Sequence, residues 1–149
     1  MTGRLLEAEV FGRTTVKWEG KMEYMPYRTA LDFCRKHQPI GWNPVDPSTR
    51  TGSNLYASVA IELEKAVGEF TWEEELKFFS AIGSPLDVFH GVDGWFEFRG
   101  NVVTVDLTAN TAKVNGYKAN VILFYEDDND REINLRGIER IPQLLLGAA

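Results

Sequence analysis

Residues 92–108 read VDGWFEFRGNVVTVDLT, and this stretch decides the fold. On each side of Gly100-Asn101 the side chains alternate with a period of two, the spacing that points successive residues to opposite faces of a β-strand. Two such segments joined by a short glycine-containing turn predict an antiparallel hairpin. One face of this hairpin is apolar and is the predicted core face; its residues are Phe96, Phe98, Val103, Val105 and Leu107.

Asp93 and Asp106 share the opposite face of the predicted hairpin. With Gly100-Asn101 as the turn, Asp93 pairs with Thr108 and Asp106 pairs with Trp95. The two carboxylates are then diagonal neighbours, about 7–8 Å apart in backbone position, a separation that one divalent cation can bridge. Like charges on one sheet face repel each other unless solvent or a cation relieves the repulsion. The alternative interpretation is that both belong to a simple solvated face.

The residues before the hairpin predict three helices, one strand and one loop. Helical spacing is found in residues 28–37 and in residues 53–68, where Ser53 or Asn54 is the predicted cap and Gly68 the predicted end. A capping-box pattern at Thr71 predicts another helix over residues 71–83. Residues 10–18 predict a short strand, and residues 39–53, rich in proline, glycine, serine and threonine, predict a loop.

The chain after the hairpin predicts one further strand. Residues 119–125 are nearly all apolar, which is typical of a central strand covered on both faces. The acidic run at residues 126–130 predicts a solvated turn that ends this strand, and residues 132–146 show no clear period. We therefore expect a single α/β domain over residues 1–149, with a mixed central sheet of four to five strands and flanking helices.

The composition limits the kinds of site that this chain can form. It has 16 Lys and Arg against 22 Asp and Glu, a formal charge of −6, which argues against a broad basic surface for nucleic acid. A bound divalent cation would supply positive charge locally. One cysteine and two histidines exclude an internal disulfide and a Cys/His zinc site, so that a metal would need oxygen ligands.

The sequence contains no candidate membrane segment. The first seven residues, MTGRLLE, reach charged side chains too soon for a signal peptide, and no apolar run approaches the roughly 18 residues of a membrane span. We expect a cytoplasmic protein without a membrane partner.

Residues 53–125 resemble the PD-(D/E)xK nuclease superfamily. In that fold a helix with a glutamate precedes a hairpin whose first strand begins with Asp and whose second strand carries Asp or Glu, one residue, and then Lys. By this resemblance Glu62 corresponds to the helix acid, Asp93 to the first-strand Asp and Asp106 to the second-strand acid. The resemblance implies a restriction-endonuclease-like core.

The resemblance also implies an activity, a cofactor and a partner. The chain would be a nuclease that hydrolyses phosphodiester bonds of DNA or RNA, with Mg²⁺ or Mn²⁺ held by Asp93, Asp106 and Glu62. Glu62 falls on the apolar stripe of its helix, so we expect it to point toward the sheet; the alternative is that it lies at the edge of the stripe and reaches to solvent. Glu64 is the alternative helix acid.

Thr108 stands where the family has its lysine. Lys113 or Lys118 would supply the ammonium group from a neighbouring segment, and Lys118 is better situated because it directly precedes the apolar strand. Each is otherwise an ordinary surface lysine. His90, two residues before Val92, would contact a phosphate or donate a proton, or else have a structural role.

A non-catalytic protein-binding module on a similar fold is the alternative function. The missing lysine and the net negative charge favour it. The proline-rich segment around Trp42-Asn43-Pro44 would then contact a protein partner, because an aromatic side chain held between prolines loses little entropy on binding. The sequence leaves the oligomeric state open.

Overall fold

A computed structural model describes residues 3–108, 119–127 and 133–147 of the chain. These residues form a small α/β domain, with six helices and a five-stranded mixed sheet. The helices are α1 (Gly3–Phe11), α2 (Tyr27–Arg35), α3 (Arg50–Val67), α4 (Trp72–Glu75), α5 (Pro85–His90) and α6 (Arg140–Leu145). The strands are β1 (Leu76–Ser80), β2 (Gly94–Phe98), β3 (Asn101–Thr108), β4 (Val121–Asp127) and β5 (Ile133–Arg136).

The sheet has the strand order β1-β2-β3-β4-β5. The first three strands are antiparallel, β4 runs parallel to β3, and β5 is antiparallel to β4. The predicted strand over residues 119–125 is therefore confirmed as an interior strand, and it continues through the first two residues of the acidic run. Only one of its faces is fully covered, because Val121 and Leu123 are buried whereas Ile122 and Phe124 are half-buried.

Helices cover both faces of the sheet. On one face α1, α3 and α6 pack against the predicted core face of the hairpin, which is confirmed. On the other face α2 and α5 cover β1 and β2 through a second cluster, which consists of Ala30, Leu31, Cys34, Phe79, Ala81, Leu86, Val92 and Trp95. The side of the hairpin that carries Asp93 and Asp106 is consequently not a solvated surface.

The predicted strand over residues 10–18 is wrong. Val10 and Phe11 end helix α1 and are fully buried in the first core cluster. Residues 12–18 are irregular, apart from an isolated bridge between Arg13 and Ile82. The β-branched composition signals an extended backbone, but a strand also needs a paired neighbour along its length.

The helix over residues 53–68 is confirmed, but its start is not. Helix α3 begins at Arg50, and its cap is Thr49, whose hydroxyl accepts a hydrogen bond from the Gly52 amide at 3.1 Å. Gly68 ends the helix with φ of +86°, as predicted from its freedom to adopt positive φ.

The predicted helix over residues 71–83 is wrong beyond its first turn. Helix α4 is one turn long, Thr71 makes no side-chain cap bond, and the chain then enters strand β1. Phe78 of β1 stacks on Phe96 of β2, with ring centroids 4.4 Å apart. This pairing with the hairpin outweighs the local helical signal.

The hairpin turn is Arg99-Gly100, and the predicted turn, one residue further along, is wrong. Both central residues have positive φ, +49° and +85°, as in the type I′ turns that match the twist of hairpin strands. Phe98 pairs with Asn101 and Gly94 with Val105. Asp93 directly precedes Gly94 and Asp106 directly follows Val105, so the two acids lie side by side at the end of this pairing. Every partner moves by two positions relative to the prediction, so the two acids still share one face.

The turn generates a stability prediction. Gly100→Ala should destabilise the fold by about 1–2 kcal/mol, since alanine resists the left-handed conformation. Arg99→Asn should be neutral or stabilising, because asparagine tolerates that conformation and the lost ion pair with Glu75 is largely exposed. Urea unfolding measures both. A larger loss for Arg99→Asn than for Gly100→Ala would contradict the assigned turn.

Candidate active site

Asp93 is held rigidly at the entrance to β2. Its backbone amide donates to the Val105 carbonyl and its carbonyl accepts from the Ala81 amide, both at 2.8 Å. Its carboxylate Oδ2 accepts a hydrogen bond from the Leu107 amide, also at 2.8 Å. The side chain thus accepts from the Leu107 amide of β3 in place of a backbone carbonyl of the neighbouring strand, which fixes its position relative to Asp106.

Asp93 and Asp106 form a buried pair of carboxyl groups. Their exposed fractions are 2% and 7%, and their side chains are hydrogen-bonded to each other. Thr104, two residues before Asp106 on the same face, is also buried. These values exclude the interpretation of this face as a solvated surface of an amphipathic hairpin. The prediction that the two acids share a face of adjacent strands is confirmed.

The environment raises the pKa of Asp93 well above its usual range. Burial is the largest cause, followed by the negative charge of Asp106, the hydrogen bond between the two side chains and the more distant charge of Glu7. The hydrogen bond from the Leu107 amide acts in the opposite direction. Two carboxyl groups in contact share a proton because both cannot ionise cheaply in a buried position.

Glu7 is a more distant acid whose charge acts on Asp93, and the sequence analysis missed it. It lies on α1, is only partly exposed, and its charge acts on Asp93. A signal was present in the sequence, because Glu7 lies three and four residues before the buried Val10 and Phe11. That spacing puts all three on one helical face.

Glu62, the predicted helix acid, points away from the sheet. Its side chain is exposed and forms an ion pair with Lys65 at 2.9 Å, so the predicted orientation is wrong. The buried stripe of α3 passes through the neighbouring Leu63 instead. Glu64, the alternative, accepts a hydrogen bond from the Trp72 indole. These contacts do not favour a role for either glutamate beside Asp93.

His90 is a buried structural link. Its Nε2 lies 2.7 Å from the Met25 carbonyl oxygen, and because a carbonyl only accepts, Nε2 carries the proton. Its ring contacts the rings of Tyr24 and Tyr27 at 5.7 and 5.8 Å. These contacts favour the structural role over the catalytic one.

The assignment of an ammonium group to Lys113 or Lys118 stays a prediction. Thr108, in the family's lysine position, ends β3 and pairs with Phe124 of β4. Lys113 and Lys118 lie outside the described residues.

Asp93 and Asp106 together offer two carboxylate ligands of the kind that a divalent cation takes. Mg²⁺ is commonly bound by one or two carboxylates, with water and substrate phosphates completing its shell. The described residues contain no group of three or more His, Cys, Asp or Glu side chains arranged to hold a metal. A cation at Asp93 and Asp106 would therefore need ligands from solvent, substrate or a shifted Glu7.

Trp42 and Cys34 are both buried. Trp42 is buried, and its indole donates to the Phe78 carbonyl at 3.0 Å, so it cannot serve as an exposed protein contact. Burial raises the pKa of the Cys34 thiol to about 12, so this cysteine is no nucleophile.

Comparisons with known proteins leave the site to be interpreted from its own geometry. No protein-family model, curated protein or solved structure matches the chain. Among the described helices, none is both long enough and apolar enough to cross a membrane.

The raised pKa of Asp93 predicts a pH-dependent stability. The folded state binds more protons than the unfolded state between the unfolded pKa, about 3.9, and the higher folded pKa, so stability falls as pH rises through this window. Asp106→Asn should flatten this dependence, because its amide can donate to an ionised Asp93. Melting temperatures from pH 4 to 9 measure the effect, with the exposed Glu69→Gln as control. Equal slopes for parent and Asp106→Asn would contradict the coupling.

Proposed function

We propose that this chain is a metal-dependent nuclease that hydrolyses phosphodiester bonds of DNA or RNA on a restriction-endonuclease-like core. The observation that carries the proposal is the buried, hydrogen-bonded contact between Asp93 and Asp106. Such a pair is unfavourable for the fold at neutral pH, but it is a suitable starting point for a cation site.

The arrangement of the elements also supports this proposal. Helix α1, with Glu7, precedes the sheet, the hairpin β2–β3 carries the two aspartates, and β4 runs parallel to β3. This order agrees with the resemblance to the PD-(D/E)xK superfamily. Glu7 replaces Glu62 as the proposed helix acid.

Asp93 and Asp106 would hold Mg²⁺ or Mn²⁺, with Glu7 as the third acid. When bound, the ion activates water as the nucleophile and stabilises the charge that develops on the phosphate. The Leu107 amide keeps one oxygen of Asp93 fixed, and a cation would replace the hydrogen bond between Asp93 and Asp106 as the link between the two carboxylates. Asp93 gives up the shared proton on cation binding, so binding should strengthen as pH rises.

The chain must also supply a positive group for the scissile phosphate. Lys118 remains our first candidate and Lys113 the second, because Thr108 cannot carry a charge. His90 is not included in this proposal, because its Nε2 proton is used by the Met25 carbonyl.

A non-catalytic protein-binding module is the second candidate function. Threonine at position 108 and the formal charge of −6 favour it. It differs from the nuclease in one measurable respect, since a module without a metal site gains no stability from Mn²⁺.

The proposal predicts opposite effects of Asp106→Asn on activity and stability. This variant should lose Mg²⁺-dependent cleavage of DNA and RNA to the level of a metal-free sample, while it folds as well as the parent or better. Cleavage assays on single- and double-stranded DNA and on RNA, together with thermal unfolding, measure the two effects. Retained cleavage by a folded Asp106→Asn variant would refute the assignment.

Metal binding should stabilise the parent. At a concentration of Mn²⁺ 100 times its Kd, the gain is about 2.7 kcal/mol, roughly 5–10 °C in melting temperature for a chain of this size. Asp106→Asn should show a much smaller shift. An equal response of parent and variant, with no cleavage by either, would favour the binding module.

The helix acid can be identified with a matched pair of variants. Glu7→Gln should weaken the Mn²⁺-dependent shift and slow cleavage, because it removes the third acid near Asp93. Glu62→Gln should leave both unchanged, because Glu62 is exposed and paired with Lys65. The reverse result would restore Glu62 as the helix acid.

A further inference from the structure

An aromatic surface lies on the side of the sheet that α2 and α5 cover. Tyr24 is 64% exposed and Tyr27 is 41% exposed. The Tyr24 ring meets the Phe89 ring at 5.5 Å in an edge arrangement, and both tyrosines contact His90 beneath them. We call Tyr24, Tyr27, Phe89 and His90 the aromatic patch.

The aromatic patch is held in place before any ligand arrives. The hydrogen bond between His90 and the Met25 carbonyl ties the segment before α2 to the end of α5. Met25 also packs against the second core cluster. Rings with few free torsions on a fixed backbone lose little entropy on binding, which favours their use as a contact surface.

The aromatic patch lies close to the acidic pair. His90 precedes Asp93 by three residues, so their Cα atoms are at most about 11 Å apart. Val92 between them is buried in the second core cluster, and Asp93 is fixed by its bonds to Ala81 and Val105. A polymer bound on the patch would therefore pass near the strand entrance that carries Asp93, whose own side chain is buried.

The charge of this part of the chain differs from that of the rest. Residues 12–38 contain six Lys and Arg against three Asp and Glu, a net charge of +3 within a chain of −6. Lys21 and Arg28 are exposed and flank the two tyrosines in sequence. Beside the tyrosines the exposed Glu23 offsets one of these two cations, and the remaining positive charge complements a phosphate backbone.

From these observations we infer that the aromatic patch is a stacking platform for unpaired bases of single-stranded nucleic acid. The bases stack on Tyr24 and Tyr27, and the phosphates pass Lys21 and Arg28 toward the acidic pair. Exposed rings beside cations are the usual means of binding single strands without sequence preference. The inference deepens the proposed nuclease function and rests on it for the link to cleavage, whereas binding itself requires no cleavage.

The test measures binding in EDTA, where no cleavage occurs. Fluorescence anisotropy follows fluorescein-labelled dT12 and rU12 and a 12-base-pair duplex at low salt. Tyr24→Ala should bind either single strand about 5- to 100-fold more weakly, the loss expected for one stacked base. Tyr24→Phe keeps the ring and should bind like the parent. Ile40→Ala removes a side chain that is 93% exposed elsewhere on the surface and should change nothing.

Each outcome bears on the inference. Tighter binding of a single strand than of the duplex, lost in Tyr24→Ala and kept in Tyr24→Phe, supports it. Equal affinity for the duplex, unchanged binding by a folded Tyr24→Ala variant, or no binding of either strand type overturns it. Single-strand binding without Mg²⁺-dependent cleavage would refute the nuclease function and support the stacking platform. Mg²⁺-dependent cleavage that is unchanged in Tyr24→Ala would support the nuclease function and refute the platform.

Discussion

The contact between Asp93 and Asp106 is the interaction on which the proposed site depends. Two carboxyl groups at 2% and 7% exposure cannot both carry charge at low cost, so they need a shared proton or a cation. The hydrophobic core does not require them, because the other face of the same hairpin supplies its apolar contacts. A buried acidic pair that the core does not require is a better candidate for a site than for a source of stability.

Strand β1 is the element that makes the position of Asp93 a buried one. It pairs with β2 on the side opposite β3, and the Ala81 amide at its end donates to the Asp93 carbonyl. Without β1, the strand entrance that carries Asp93 would be a solvated sheet edge, and the pKa of its carboxyl group would be closer to the usual range. The covering helices α2 and α5 complete the burial through Phe79 and Trp95, whose rings stack at 4.9 Å.

The sequence correctly predicted the features that depend on local periodicity, but it did not predict those that depend on which strands pair with each other. The period of two identified the hairpin, its core face and the shared face of the acids. The assignment of residues to the two faces is unaffected by the wrong turn, because the shift moved the strand partner of each residue by two positions. The direct opposition of the acids could not be predicted, since Arg99 gives no sequence signal for positive φ. Strand β1 was missed because its first partner is distant in sequence and a helical cap precedes it. Glu7 was missed because no helix was predicted before residue 28, whereas residues 53–68 gave a clear apolar stripe, although Glu62 itself lies just outside it.

The position of the acidic pair within the sheet is a further argument for a ligand site. Asp106 lies two residues before the end of β3 and pairs with Ile122, the second residue of the parallel strand β4. Here α1 approaches from the first core cluster with Glu7, and α5 leads from the second directly to Asp93. Segments from opposite faces of the sheet therefore lead to one pair of buried carboxyl groups, and this convergence supports the proposed cation site.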